Sequence, residues 1–188
     1  MASRVASITL VLVAVLLAGC GSDTHSAAPS AQQTNAAFKG APPPLAALHA
    51  QANQVLPGGP HAFKTRLGEL RGYPVVVNKW ASWCGPCKSE FPAFQKAAVE
   101  FGRQVAFLGV NGKNDTTSEA ASFLKQFPVT YPSYEDPHES IARTIQAVQF
   151  DPMTVFIDRQ GKIAFVHAGA YTNAAALAHD VRFYVLRK

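Results

Sequence analysis

The stretch that most constrains this chain is Trp83-Cys84-Gly85-Pro86-Cys87, which follows a Val-rich apolar run at residues 75–80 and precedes a run of helical periodicity. The arrangement predicts a strand, a tight connection and a helix beginning at Cys84. A thiol in that place faces the unpaired N–H groups and the positive dipole end of the helix, which stabilise a thiolate and lower its pKa. Cys84 is therefore the expected nucleophile. Cys87 lies one turn further along the same side, near enough to close a disulfide and more shielded, and is the expected resolving thiol. Pro86 suits the first helical turn, where its missing N–H would have had no partner, and Gly85 leaves room for another backbone to approach.

Half a zinc site carries the same cysteine spacing. Two more ligands would be needed, but the one remaining cysteine is Cys20, far upstream, and no His-x-x-x-His occurs. A redox dithiol is the stronger reading, with no metal and no cofactor expected. Together with residues 74–82 before it, the motif resembles the active site of the thioredoxin superfamily. Read as Cys-x-x-Cys-x-x-Glu-x-Pro from Cys84 to Pro92, it is similar to the extracytoplasmic TlpA/ResA-like branch. The resemblance extends from about Phe63 to the C-terminus. It implies an α/β thioredoxin-like fold, three layers around a central mixed sheet, with an inserted helix and extended segment.

The 188 residues are 48% hydrophobic and 15% charged, which fits one ordinary domain plus a tail. The formal charge of +5 is scattered rather than gathered in a stripe, so nucleic acid is not an expected partner. Residues 1–19 place a single Arg4 ahead of an apolar core too short to span a bilayer, as in a signal peptide cleaved before Cys20. Leu17-Ala18-Gly19-Cys20 resembles a bacterial lipobox. That implies export, lipidation of Cys20 and anchoring to the outer face of the cytoplasmic membrane, where several acyl chains hold stably. Residues 20–60, rich in Ala, Ser, Gln and Pro, read as a flexible tether in which 45–50 could form a short helix. Residues 61–188 then form the domain.

Within that domain, residues 63–66 read as a short strand, 67–71 as a turn of helix and 75–80 as a central strand covered on both faces. A helix over 84–101 follows, then a strand over 104–111 and a helix over 117–127. Residues 131–137 read as an extended connection and 138–147 as a short helix. A hairpin of 154–158 and 163–168 comes next, and a last helix over 173–186 is capped by Asn173.

The resemblance assigns roles to further residues. Pro152 takes the place of the family's cis-proline, and the backbone at Asp151 and Pro152 would pair with a substrate chain beside the cysteines. Trp83, Gly85 and Pro86 complete that substrate-binding rim. Asp151 departs from the usual uncharged neighbour, and a carboxylate near Cys84 would raise its pKa against the effect of the helix end. Glu90 matches a glutamate that tunes the dithiol; from the residues alone, a solvated helix carboxylate is the alternative. Asn78 stands where other thioredoxins have a buried acid, and an amide cannot shuttle protons. Lys79 is a second departure, and in a central strand it must snorkel, pair or lie at an opening. Trp80 is expected in the core and Trp83 as a flat apolar surface. The 6 histidines show no metal or triad spacing.

The implied function is that of a monomeric, membrane-tethered thiol-disulfide oxidoreductase acting on client proteins with disulfides or thiols. A membrane electron donor of the thiol-disulfide type would reset it, and cytochrome c maturation is the first client pathway to consider. Gly85-Pro86 is the thioredoxin dipeptide, which favours a reductase over a disulfide-forming oxidase. Two other classes compete. A peroxidase of the same fold is disfavoured by Ala81, which stands where a threonine is usual. A copper-carrying or purely binding lipoprotein is disfavoured by the close cysteine spacing.

Overall fold

The computed structural model describes residues 30–187, so Cys20 and residues 1–19 lie outside the described residues. The sheet has six strands: β1 (Val55–Leu56), β2 (Val75–Trp80), β3 (Ala106–Asn111), β4 (Ser133–Glu135), β5 (Met153–Ile157) and β6 (Ile163–Ala168). Their order is β1-β4-β3-β2-β5-β6, with β2 parallel to β3 and antiparallel to β5, so the sheet is mixed as expected. The helices are α1 (Ala31–Phe38), α2 (Pro43–Ala50), α3 (Gly59–Glu69), α4 (Gly85–Phe101), α5 (Thr117–Gln126), α6 (Ser140–Thr144) and α7 (Ala174–Asp180). The last continues as a π-helical segment, Val181–Leu186.

Every residue of β2 is buried, as an uninterrupted Val-rich strand predicts. Its alternation splits the core in two. Val76 and Trp80 face α4, α5 and α7, while Val75 and Val77 face α2, α3 and α6, giving three layers. Gly109 on β3 makes room for this packing. A Cβ there would lie 2.0 Å from Ser133 Oγ and 3.0 Å from Trp80 Nε1, and those two atoms hydrogen-bond across it at 3.1 Å.

Three sequence expectations change. Residues 63–66 are not a strand but part of α3, because Phe63 and Leu70 are buried and Leu67 packs beside them, a helical face laid on the sheet. The leading strand is β1, which pairs with β4 inside the stretch expected to be connection. The tether also ends earlier than residue 60. Leu45 and Leu48, one turn apart on α2, are fully buried against Val75 and its neighbours, so residues 43–56 belong to the packed body. The Ala- and Pro-rich composition masked two leucines at helical spacing. Among the described residues no helix is long and apolar enough to cross a membrane.

Candidate active site

Cys84 is the N-cap of α4. Its backbone is extended (φ −78°, ψ 109°) and its Sγ accepts the Cys87 N–H at 3.1 Å. Cys84 and Cys87 form a disulfide, with Cα atoms 5.3 Å apart. Cys87 is completely buried and Cys84 retains 3% exposure, so the small exposure of the pair belongs to the residue at the helix end. Trp83, Gly85 and Pro86 surround it as exposed residues, and nothing lies within 4 Å of where a Gly85 Cβ would be. That open space is where a second polypeptide backbone could approach. Trp80, by contrast, is wholly buried, stacked on Phe123 at 4.8 Å and edge-on to Phe91 at 5.3 Å.

The approach to Cys84 is pinned from the β3–α5 loop. Asp115 accepts hydrogen bonds from Ser82 N (2.5 Å), Ser82 Oγ (2.6 Å) and Asn111 Nδ2 (2.7 Å). Trp83 Nε1 donates to Lys113 O at 3.1 Å, and Gly112 N to Trp80 O at 2.8 Å. Sequence reasoning missed Asp115. It lies 31 residues past Cys84 in a polar loop, with no motif to single it out.

Glu90 is fully buried on the α4 side of the sheet. This removes the solvated-carboxylate alternative. Its Oε2 accepts the Tyr171 N–H at 3.2 Å, while Oε1 has no hydrogen-bond partner. Burial pushes the carboxyl up to about 8, against the opposing pull of the Tyr171 N–H and the Asn78 amide. Asn78, Tyr131 and Thr154 carry further buried polar atoms without hydrogen bonds of ordinary geometry. Asn78 and Thr154 are cross-strand partners, so a polar patch sits inside this apolar layer.

On the opposite face the structure settles what the sequence left open about Lys79. Its side chain is buried, and Nζ lies 3.0 Å from Glu139 Oε1 and 3.1 Å from Asp151 Oδ1. It also donates to the Phe150 carbonyl at 3.3 Å. Burial raises the Asp151 carboxyl and Lys79 opposes the rise. The Asp151 carboxyl expected near Cys84 is thus paired with Lys79. The Asp151–Pro152 peptide bond is cis, and Pro152 O accepts Gly169 N at 3.0 Å. Among the described residues no cluster of His, Cys, Asp or Glu could hold a metal ion.

The chain is 31% identical over 111 residues to a thioredoxin-like protein YneN of Bacillus subtilis, a match covering 58% of this chain and 64% of that one. It is 29% identical over 118 residues to the thiol-disulfide oxidoreductase ResA of the same organism, covering 62% and 64% respectively. The match thus spans less than two thirds of these relatives' length. Among solved structures, a DsbF homologue from Corynebacterium diphtheriae aligns with a TM-score of 0.58 at 28% identity, over 62% of this chain and 75% of that one. The profile of the AhpC/TSA family matches residues 51–166, more than half of the chain and including Cys84 and Cys87, so the protein belongs to the AhpC/TSA family.

Proposed function

We propose that the protein is an exported thiol-disulfide oxidoreductase that reduces disulfides in client proteins. The observation that carries this is the Cys84–Cys87 disulfide at the N-terminus of α4, in which Cys87 is completely buried and Cys84, at the helix end, keeps slight exposure. In the reduced protein the Cys84 thiolate, stabilised by the Cys87 N–H and the helix end, attacks one sulfur of a client disulfide. The client S–S bond breaks and its second sulfur leaves as a thiolate. The Cys87 thiolate then attacks Cys84 Sγ and expels the client's first sulfur, so the client gains two electrons and Cys84–Cys87 is oxidised. A membrane dithiol donor returns the two electrons. The client backbone lies along Asp151 and Pro152, with Trp83, Gly85 and Pro86 forming the remaining rim. Glu90, held neutral at physiological pH, exchanges its proton in step with the dithiol and couples their titrations.

Reduction is favoured over oxidation because Gly85-Pro86 is shared with thioredoxin, whose potential of about −270 mV lies well below the roughly −120 mV of an oxidant such as DsbA. Lipidated Cys20 would hold the domain at the outer face of the cytoplasmic membrane, with apocytochrome c thiols as first client. Loss of fatty-acid labelling in Cys20→Ala tests the anchor. The central test is a trap. Cys87→Ala should hold clients as mixed disulfides on Cys84, and Cys84→Ala should hold far fewer. Capture mainly of reduced exported chains and a re-oxidising membrane protein would reverse the direction, and no capture at all would refute the exchange mechanism. Membership of the AhpC/TSA family keeps a peroxidase as second reading, which peroxide consumption by the reduced protein would support.

A further inference from the structure

The segment that carries Asp151 is held in an unusual way. No backbone hydrogen bond of the described turns and loops involves residues 148–151, and strand pairing begins only at Met153. Val148 and Phe150 project outward, 44% and 59% exposed. What fastens this stretch is Lys79, through the Phe150 carbonyl at 3.3 Å and the Asp151 carboxylate at 3.1 Å. The ammonium is in turn anchored by Glu139 at 3.0 Å. Glu139 sits on a rigid mount. Its N–H donates to Asp136 O, its carbonyl accepts Arg143 N, and Asp136 caps α6 through Ser140 Oγ, Ile141 N and Ala142 N.

Energetics make this placement informative. A buried ion cluster gives no clear stability advantage over apolar residues of the same volume, because desolvation offsets the attraction. An apolar side chain at position 79 would fill the space equally well. It would not grip a carbonyl and a carboxylate in two directions. The charged groups facing Lys79 are Glu139 and Asp151, with Lys113 beyond Asp151. Gly112 completes the enclosure, since a Cβ there would lie 3.2 Å from Lys79 Cε and 3.7 Å from Asp151 Oδ1. The neighbouring Lys113 carbonyl holds Trp83. The 150–151 segment and Trp83 therefore flank one short strip of the β3–α5 loop, with both rings presented to solvent.

We propose that Lys79 is a positioning residue for client binding: from inside the sheet it fixes the backbone at Phe150 and Asp151 so that an extended client polypeptide finds a preformed edge and an apolar ring opposite Trp83. This rests on the oxidoreductase reading above. The test compares one protein substrate and one small one. Reduced wild type, Lys79→Met and Lys79→Arg are assayed with insulin and with dithiobis(nitrobenzoate). Lys79→Met should raise KM for insulin by roughly 10- to 100-fold, the scale of a misplaced binding edge, while the rate with the small disulfide stays within about twofold. Lys79→Arg, which keeps the charge, should recover much of the insulin KM. Glu139→Gln, which loosens the anchor and leaves Lys79 in place, should raise it by at least about threefold, and it decides the matter if Lys79→Met does not fold. Equal losses on both substrates, or an unchanged insulin KM, would overturn the positioning role alone. A reduced wild type that exchanges with neither disulfide would overturn the oxidoreductase reading, and this inference with it, whereas activity on the small disulfide but none on insulin would overturn the client edge alone.

Discussion

Replacing Glu90 with Gln should change how stability depends on pH more than it changes stability at any single acidic pH. The folded protein holds the Glu90 proton up to about pH 8, whereas an unfolded chain releases it near 4.5. Between those values the unfolded state binds one proton fewer, so stability is fully present below 4.5 and is lost as pH rises through 8. At 1.36 kcal/mol per pH unit the interval amounts to about 5 kcal/mol, a large share of the 5–15 kcal/mol typical of a domain. Glutamine fills nearly the same space and never ionises. His167 contributes a weaker opposite slope, since burial pushes its imidazole down and the unfolded state binds the extra proton. Subtracting the two proteins cancels it. Urea unfolding of oxidised wild type and Glu90→Gln from pH 5 to 8.5 should show the variant gaining on wild type by several kcal/mol across the range. A constant difference would mean that Glu90 ionises as an ordinary carboxyl and that its burial has no bearing on the dithiol.

Two other outcomes follow from single contacts. Asp115→Ala strands the Ser82 and Asn111 donors; at about 1–3 kcal/mol for each buried group left unpaired, it should lower stability by at least 2 kcal/mol and alter the fluorescence of Trp83 on the freed turn, and an unchanged melting profile would refute the clamp. Leu48→Ala should cost about 2–5 kcal/mol in urea unfolding, as a core leucine does, whereas a residue on a tether would cost nothing measurable.

What the sequence made legible was whatever repeats with the period of an element or depends on immediate neighbours. The Val-rich β2, the helix from Cys84, the hairpin around Gly161 and the Asn173 cap, whose side chain accepts Ala175 N, all answer to local chemistry. Residues 63–66 went astray because four residues of mixed character fit a strand as well as the first turns of α3. Only contact with the sheet distinguishes the two, and that depends on residues far away in the chain. The same holds for α2. Its leucines mean nothing until Val75 and Val77 are placed over them.

The polar residues of β2 were the least readable, and they matter most for the chemistry. Asn78 and Lys79 are adjacent, so the pleat sends them to opposite faces of the sheet. One meets Glu90 and the polar patch beneath α4; the other meets Glu139 and Asp151 under the cis-proline segment. No pattern of one strand could announce either set of partners, because they come from α4, from the turn before α6 and from the loop before β5. Yet the two faces set quite different chemistry on either side of β2. On the α4 face Glu90 lies in an apolar layer that favours its neutral form. On the α6 face one ammonium meets two carboxyl groups and the Phe150 carbonyl. Were Lys79 apolar, Asp151 would stand either as an unpaired buried carboxylate or as a protonated acid, and residues 150–151 would lose their tie to β2. If Lys79 acts only on backbone position, Lys79→Met should leave the pH profile of exchange with the small disulfide as it is in wild type while the insulin KM rises, and a new pH dependence with the small substrate would refute that division.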